Sequence, residues 1–455
     1  MAQSPIPPNA RDAGPGFDAA ATAAALGRID GLVVDGLTKG FPGHLGPTAL
    51  GDIGGLGLNI LRGDTPFPAA VIHRSAVEHN GRWMRQFLDF TGADLAPHGK
   101  TTMSPHLFAL QAENGCWGLT VATMQQATVA AEAGCRRILM ANQLVSRADM
   151  AALKALQARH PALEYFCYVD SAAGAERLAR LAREHGPAAP IRVLLEIGHD
   201  GGRTGCRTVA EAEATAAAVI ASAGRLVLAG LACFEGLVKS DDLGSAAQKV
   251  GKLMDFLSTV AAAADRLGAF ARDEILLSAG GSAFFDIVMR RLTEIKLSRP
   301  TRVVIRSGCY LTHDSKSYDL AFDDILHRIP ESWRRLGRLR PALFVWSMVQ
   351  SRPEPDLAIV TMGKRDVSFD VDLPTPVLHF RPGTATAPKP IGTDWTISGM
   401  NDQHGHLRLP EGADVAIGDL IACGVSHPCT TFDRWQTIYL VDDAYDVTGA
   451  IRTFF

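Results

Sequence analysis

The chain has 455 residues, and its 45 lysines and arginines against 48 aspartates and glutamates leave a formal net charge of −3. So small a charge argues against nucleic acid and membrane surfaces as partners and favours small molecules as ligands. The length allows two or three domains, or a single barrel with a smaller partner domain.

The eight cysteines are scattered and include no CxxC pair, a usage typical of reduced, buried thiols in the cytosol. The N-terminus has neither a basic n-region nor an apolar h-region, and no apolar run approaches membrane-spanning length. We therefore expect a soluble, cytoplasmic protein that has no membrane partner.

Residues 1–66 form the first unit that the sequence predicts, an N-terminal extension. It begins with a Pro- and Ala-rich lead, continues through residues 19–29, whose composition favours a helix, and then enters a Gly-rich stretch over residues 40–57. Such an appended arm could cover either an active site or a dimer partner, and the sequence leaves both open.

Residues 67–320 show a regular alternation of apolar strand candidates and Ala-rich segments with helical spacing. The strands are nearly continuous apolar runs, which is typical of parallel strands that are buried on both faces. Eight strands and their helices predict a (β/α)8 TIM-type barrel. The predicted strands cover residues 94–98, 118–122, 137–141, 163–169, 191–197, 226–234, 274–279 and 302–305.

Beyond residue 320 the helical spacing fades, and short runs rich in Val, Thr and Ile alternate with turn signals. We therefore predict a C-terminal all-β domain over residues 321–455, so that the whole chain is an α/β protein. In a barrel of this kind, functional residues cluster in the loops that follow the strands.

Lys100 lies in the first such loop, in the motif Pro-His-Gly-Lys-Thr over residues 97–101. A short strand, a glycine for close backbone approach and a helix that begins near Ser104 would hold an amine at the mouth of the barrel. A lysine becomes nucleophilic towards aldehydes when burial or a neighbouring cation lowers its pKa. A solvated loop lysine beside a helix start is the alternative.

Three later loops contain residues suited to bind an anion. The loop after the fifth strand reads Gly-His-Asp-Gly-Gly-Arg-Thr-Gly (198–205) and contains Arg203. The loops after the seventh and eighth strands read Ser-Ala-Gly-Gly-Ser (278–282) and Arg-Ser-Gly-Cys-Tyr (306–310), where barrels commonly bind phosphate. An ordinary Gly-rich loop with a surface arginine is the alternative for the first, and a Gly-Gly-Ser turn alone is weak evidence.

His427 and Cys429 are the candidate metal ligands near the C-terminus. Alternation along an extended segment would place both side chains on one face, and imidazole with thiolate suits zinc or a similar divalent metal. Waters, substrate or another side chain would complete the site, and a buried cysteine beside a turn histidine is the alternative. His404, in Asp-Gln-His-Gly-His (402–406), is either a proton-transfer group or a solvent-facing turn histidine.

These motifs together resemble the D-threonine aldolase and D-serine dehydratase family, which shares its barrel with alanine racemase. Besides Pro-His-Gly-Lys-Thr, the similarity includes Gly-Leu-Thr-Val-Ala-Thr (118–123) and Leu-Met-Ala-Asn-Gln (139–143), and it extends in order from about residue 67 to the C-terminus. It implies an alanine racemase-like fold in which the strand near residue 69 joins the C-terminal β domain.

The resemblance also implies pyridoxal 5′-phosphate as the cofactor, held by Lys100 as a Schiff base. His427 and Cys429 would bind zinc, or manganese, magnesium or cobalt, and His404 would line the same site. The substrate would be a small D-amino acid, and the protein would be a homodimer. The residues expected to bind the cofactor are Lys100, Arg203, Gly280, Gly281, Ser282, Gly308, Cys309 and Tyr310.

Cys429 distinguishes two activities within this family, because the dehydratases have His-x-Cys at this point and the aldolases tend to have His-x-Asp. We therefore expect a lyase that acts on β-hydroxy D-amino acids, a dehydratase or deaminase of the D-serine dehydratase type that gives an oxoacid and ammonia. The alternative is retro-aldol cleavage to glycine and an aldehyde. A metal-independent amino acid racemase and a non-catalytic pyridoxal phosphate-binding protein are further alternatives.

Overall fold

The structure is a computed structural model that describes residues 16–238 and 243–455, so the beginning of the predicted lead lies outside the described residues. Within the N-terminal arm, α1 begins where the Asp18 carboxylate accepts a hydrogen bond from the N–H of Ala21. The arm contains α1 (Ala19–Asp30), the antiparallel pair β1 (Val33–Val34) and β2 (Thr48–Ala49), and a 3-10 helix (Leu50–Leu56); the chain then enters β3 (Ala69–His73).

Eight parallel strands form the predicted barrel. They are β4 (Asp94–Leu95), β5 (Leu119–Val121), β6 (Arg137–Gln143), β7 (Glu164–Val169), β8 (Ile191–Ile197), β9 (Leu226–Cys233), β10 (Ile275–Ala279) and β11 (Thr301–Ile305). Their order in the sheet is β4-β11-β10-β9-β8-β7-β6-β5. The ring closes between β4 and β5, because the N–H groups of Trp117 and Thr120 donate to the carbonyls of Leu95 and Pro97 at 2.7 and 2.9 Å.

Helices follow the strands and cover the outside of the barrel. Thr123, Ser146, Ser171 and Thr208 each begin a helix with a side-chain oxygen that accepts from the N–H three residues later. The helices are α2 (Arg74–Thr91), α3 (Pro105–Glu113), α4 (Met124–Glu132), α5 (Arg147–Arg159), α6 (Ala172–His185), α7 (Val209–Ile220), α8 (Leu243–Arg266) and α9 (Phe285–Thr293). Of the helices in the described ranges, none is both long and apolar enough to cross a membrane.

Apolar side chains fill two layers of the barrel, which explains the continuous apolar strands. Along β8, Leu194 packs inside the barrel with Phe166 and Leu276. Its neighbours Val193 and Leu195 belong to the outer core beneath the helices. Because both faces of each strand are buried, polar alternation would leave unpaired polar groups in one of the two layers.

Two further helices, α10 (Ser317–Arg328) and α11 (Glu331–Arg334), stand between the barrel and the β domain. The predicted domain boundary at residue 320 falls inside α10. This helix packs against the barrel, where the rings of Phe322 and Trp83 lie 5.4 Å apart. Its buried residues Ala321, Phe322 and Ile325 follow helical spacing, so the prediction that this spacing fades beyond residue 320 is wrong for α10.

The C-terminal domain is a mixed, largely antiparallel sheet. β3 (Ala69–His73) joins it, pairing antiparallel with β12 and parallel with β19. The predicted all-β domain after the barrel is therefore confirmed. Its elements are β12 (Leu343–Glu354), β13 (Leu357–Val360), β14 (Thr375–Phe380), β15 (Lys389–Pro390), β16 (Thr396–Met400), β17 (Gly405–Arg408), β18 (Leu420–Gly424), α12 (Cys429–Phe432), β19 (Thr437–Val441) and β20 (Val447–Arg452).

Candidate active site at the mouth of the barrel

Lys100 lies in a single 3-10 turn (Gly99–Thr101) directly after β4. The bridge between His98 and Thr120 holds the start of this turn against β5. The lysine side chain lines a cavity of about 240 Å³ at the C-terminal ends of the strands. Among the described residues, no ion pair or hydrogen bond partner engages its ammonium group. The amine is therefore held by its backbone and is open to a ligand.

The cavity brings together most of the residues that the sequence predicts for the site. Gly280, with a φ of +98°, adjoins it without lining it. The predicted residues that line the cavity are Lys100, Arg203, Gly281, Ser282, Gly308, Cys309, His427 and Cys429.

Two predicted residues lie elsewhere. Tyr310 packs in the outer core, where its hydroxyl contacts Gln111 and burial raises the pKa of the phenol. His404 is exposed in the turn between β16 and β17, where its carbonyl accepts from the N–H of Asn401. Neither side chain lines the cavity, and the cofactor-binding and proton-transfer roles stay predictions.

One side of the cavity offers backbone N–H groups to an anion. The carboxylate of Glu235, which is fully buried, already accepts from the N–H groups of Gly280 and Gly281 at 3.1 and 2.5 Å. Within the described ranges, the N–H groups of Ser282, Gly308 and Cys309 donate to no protein acceptor. These three are therefore the amides that could bind a phosphate, while Glu235 braces the loop from behind.

Gly308 is required at its position by close packing. A Cβ atom there would lie 2.6 Å from the Thr101 hydroxyl oxygen and 2.7 Å from the Cβ of His98. The loop after β11 therefore approaches the Lys100 turn at a distance that only glycine permits.

Three cations face the same cavity without a carboxylate partner. Lys100, Arg203 and Arg306 line it, and none of them forms an ion pair with a described residue. Beside them, the buried Nδ1 of His98 has no hydrogen bond partner among the described groups. Burial, reinforced by the three cations, holds the pKa of His98 well below its usual value. Positive charge and an unpaired polar atom together fit an anionic cofactor such as pyridoxal phosphate.

The predicted metal ligands line the same cavity, and Sγ of Cys429 lies 3.8 Å from Sγ of Cys309 and 3.4 Å from the hydroxyl oxygen of Thr101. The prediction that His427 and Cys429 share one face of an extended segment is wrong, because Pro428 adopts helical angles and Cys429 begins α12. The turn nevertheless directs both side chains into the cavity. Asp370 accepts a hydrogen bond from the Nδ1 of His427 at 2.7 Å, which leaves Nε2 available to a metal.

His427 and Cys429 shift each other's pKa in opposite directions. A hydrogen bond from the Cys309 thiol, whose sulfur lies 3.8 Å away, and the contact with His427 hold the pKa of Cys429 well below its usual range. The hydrogen bond with Cys429, followed by that with Asp370, raises the pKa of His427 to about 9. Cys429 therefore favours the thiolate, the form that binds metal, whereas His427 must release a proton before its Nε2 can bind one.

Two protein ligands would make an open metal site rather than a closed one. Among the described residues, no group of three or more His, Cys, Asp and Glu side chains is arranged to hold a metal ion. The donor set of His427 and Cys429 fits zinc, with positions left for water or substrate. The two-ligand metal site stays a prediction.

A larger cavity of about 530 Å³ lies at the other end of the barrel, under the N-terminal arm. Its three arginines are already paired: Arg85 with Asp89 at 3.3 Å, Arg137 with Glu164 at 3.0 Å and Arg302 with Asp94 at 2.6 Å. We assign the chemistry to the smaller cavity, because that one contains unpaired cations and a candidate nucleophile.

Four residues of the site escaped the sequence-based prediction. His98 and Arg306 lie inside the motifs quoted above. The sequence of those motifs does not show that both residues have buried surroundings rich in positive charge. Asp370 and Tyr318 carry no local signal, and only the folded chain places them beside His427 and in the wall of the cavity. A polar residue in a loop becomes recognisable as a metal-orienting group only when its partner is known.

Known proteins resemble this chain over both domains. The family model described as "Alanine racemase, N-terminal domain" matches residues 72–300, and that described as "Putative serine dehydratase domain" matches residues 342–441. Among curated proteins, D-threo-3-hydroxyaspartate dehydratase of Delftia sp. strain HT23 is 38% identical over 138 residues, which are 30% of this chain and 35% of that protein. The chain thus spans only about a third of that relative's length in the match.

A second relative matches over most of its length. D-threonine aldolase of Arthrobacter sp is 26% identical over 385 residues, covering 84% of this chain and 90% of that protein. Among solved structures, D-threonine aldolase from Filomicrobium marinum is similar with a TM-score of 0.70 at 22% identity, covering 88% of this chain and 97% of that one. At this identity the structural likeness shows the fold alone.

Proposed function

Because this chain belongs to the alanine racemase N-terminal domain family, we propose that it is a pyridoxal phosphate-dependent lyase acting on β-hydroxy D-amino acids. The predicted family and its alanine racemase-like fold are confirmed. The names of the curated relatives, a dehydratase and an aldolase, support the lyase class and leave its exact reaction to be proposed.

One observation carries the proposal: Lys100 and the pair His427 and Cys429 line the same cavity. They come from the start of the barrel and from the end of the β domain. An amine and a metal-binding thiolate in one cavity suit a reaction at Cα with departure of a β-hydroxyl.

Each side of the cavity has a distinct task. Pyridoxal phosphate, when bound, would supply an electron sink at Cα, and a divalent metal would supply a Lewis acid for the β-hydroxyl. Lys100 would hold the cofactor and then move the Cα proton, while Arg203 and Arg306 would balance negative charge. The N–H groups of Ser282, Gly308 and Cys309 would hold the phosphate.

His427 and Cys429 would hold the metal in the cavity that Lys100 also lines, with Asp370 fixing the imidazole ring. Zinc is the metal we propose first, because it accepts imidazole and thiolate together. We also propose that the protein works as a homodimer, for which analytical ultracentrifugation is the direct measurement.

Within the lyase class we propose the dehydratase reaction, which gives an oxoacid and ammonia. Cys429 supports this choice, since the resemblance associates His-x-Cys with dehydratases and His-x-Asp with aldolases. The second candidate is retro-aldol cleavage to glycine and an aldehyde. It is favoured by the match to D-threonine aldolase, which covers far more of this chain than the match to the dehydratase.

A product assay separates these candidates. The purified chain, loaded with pyridoxal phosphate and zinc, is incubated with D-serine, D-threonine and D-threo-3-hydroxyaspartate, with and without EDTA. Oxoacid and ammonia that disappear on chelation would establish the dehydratase. Glycine and aldehyde would establish the aldolase, and inversion at Cα without cleavage would replace both with a racemase. Absence of turnover with all three substrates would contradict the proposed lyase.

A further inference from the structure

The N-terminal arm, which lies outside both matched family regions, contacts the β domain through Lys39. Its ammonium nitrogen lies 2.8 Å from a carboxylate oxygen of Asp366 and 2.8 Å from the carbonyl oxygen of Arg365. The same nitrogen lies 3.9 Å from the ring centroid of Trp435. With a second, longer hydrogen bond to the carbonyl oxygen of Arg434 at 3.4 Å, one arm residue makes an ion pair, two hydrogen bonds and a cation–π contact.

Asp366 depends on this partner because its side chain is 0% exposed. Its other carboxylate oxygen accepts from the N–H of Gly363 at 2.9 Å and from Gln403 at 3.3 Å. In the described part of the chain, Lys39 is the only cation within ion-pair distance of Asp366. A fully buried carboxylate that loses its only counter-ion draws water or neighbouring donors towards itself.

The loop that begins at Asp366 also holds the candidate metal histidine. The Ser368 hydroxyl accepts from the N–H of His427 at 3.1 Å, and the N–H of Ser368 donates to the Thr431 hydroxyl at 3.1 Å. Asp370 holds the His427 ring at 2.7 Å and accepts from Thr430 at 2.6 Å. A displacement of this loop would therefore turn the imidazole.

We propose that Lys39 is a positioning residue for the metal site, an inference that rests on the proposed metal-dependent function. Its charge keeps Asp366 buried in its present position, and the loop from Asp366 to Asp370 then presents Nε2 of His427 to the metal. The N-terminal arm is in this way part of the catalytic architecture, although it contributes no side chain to the cavity lining.

The test is a zinc titration of the full chain against a competing chromophoric chelator, with the fold checked by circular dichroism. Lys39→Met keeps an apolar stem over Trp435 and removes the charge, and we expect its zinc Kd to rise roughly tenfold. The double variant Lys39→Met with Asp366→Asn leaves no buried unpaired charge, so its Kd should return towards that of the wild type. Loss of packing alone would not be rescued in this way.

Asp30→Asn is the matched control in the same arm. The substitution weakens the 3.0 Å contact between Asp30 and His106. This contact joins the arm to α3 and not to the loop from Asp366 to Asp370. We expect an unchanged zinc Kd. If Lys39→Met does not fold, Lys39→Gln, which keeps a donor for the Arg365 carbonyl, carries the same expectation.

An unchanged Kd in the Lys39 variant would overturn the inference, and so would an equal weakening in Asp30→Asn. An unrescued double variant would overturn the charge-based role. If the wild-type chain did not bind zinc in stoichiometric amount while retaining pyridoxal phosphate, the zinc site of the proposed function would be wrong, and this inference would end with it.

Discussion

The carboxylate of Asp370, which does not line the cavity, lies 2.7 Å from Nδ1 of His427, which does. This contact holds the ring orientation, so that the second ring nitrogen is the one that could bind a metal. Thr430 holds the other carboxylate oxygen at 2.6 Å. The proposed metal ligand His427 is therefore oriented by groups that would not themselves bind the ion.

Asp370→Asn should weaken the binding of zinc by roughly 10- to 100-fold, because an amide holds the imidazole less firmly and does not support its basicity. Competition titration with a chelator measures the effect. Asp372→Asn is the control, since Asp372 pairs through its side chain with Lys316 and not with His427. Equal zinc affinity in the wild type and Asp370→Asn would show that the contact does not serve metal binding.

Lys100→Ala should abolish the long-wavelength absorbance of lysine-bound pyridoxal phosphate and lower kcat by more than about a hundredfold. The absorbance spectrum of the purified protein and the product assay measure the two effects. Lys364→Ala, at an exposed lysine that does not line the cavity, should change neither. A surviving absorbance band would mean that another amine holds the cofactor.

Gly308→Ala should weaken the binding of pyridoxal phosphate by roughly tenfold or more, because the new methyl group would collide with Thr101 and His98. The strain should also cost about 1–3 kcal/mol of stability. Spectroscopic titration with the cofactor and thermal unfolding check the two effects. Gly43→Ala, where a methyl group meets no atom within 4 Å, should leave cofactor affinity unchanged.

Arg328→Met should destabilise the fold by about 3–5 kcal/mol, since the side chain of Asp286 is fully buried and Arg328 contacts both of its oxygens. The pair joins α9 to α10, so its loss should loosen α10 from the barrel. Denaturant unfolding measures the change. Arg62→Met, which removes an exposed pair with Asp64, should cost no more than about 1 kcal/mol. Similar values for both variants would contradict the importance of burial.

Local apolar spacing is enough to predict the barrel, because it encodes both strand and helix. Eight apolar runs became β4 to β11, since both faces of such strands are buried. The same analysis places Lys100 and the loops proposed to bind the cofactor after strand ends, which a barrel collects at one face. The prediction missed α10, although its buried apolar residues follow helical spacing, and the predicted boundary at residue 320 cuts through it.

The surroundings of these residues, by contrast, depend on how the whole chain folds. Nothing in the local sequence near Asp370 or Lys39 shows that one orients His427 and that the other pairs with Asp366. The fold also places Tyr310 and His404 outside the cavity lining, although the motifs around both residues suggest a role in the site. The physical reason is that a side chain's charge, burial and partners depend on segments far apart in the chain, whereas periodicity and turn chemistry depend on neighbours in sequence.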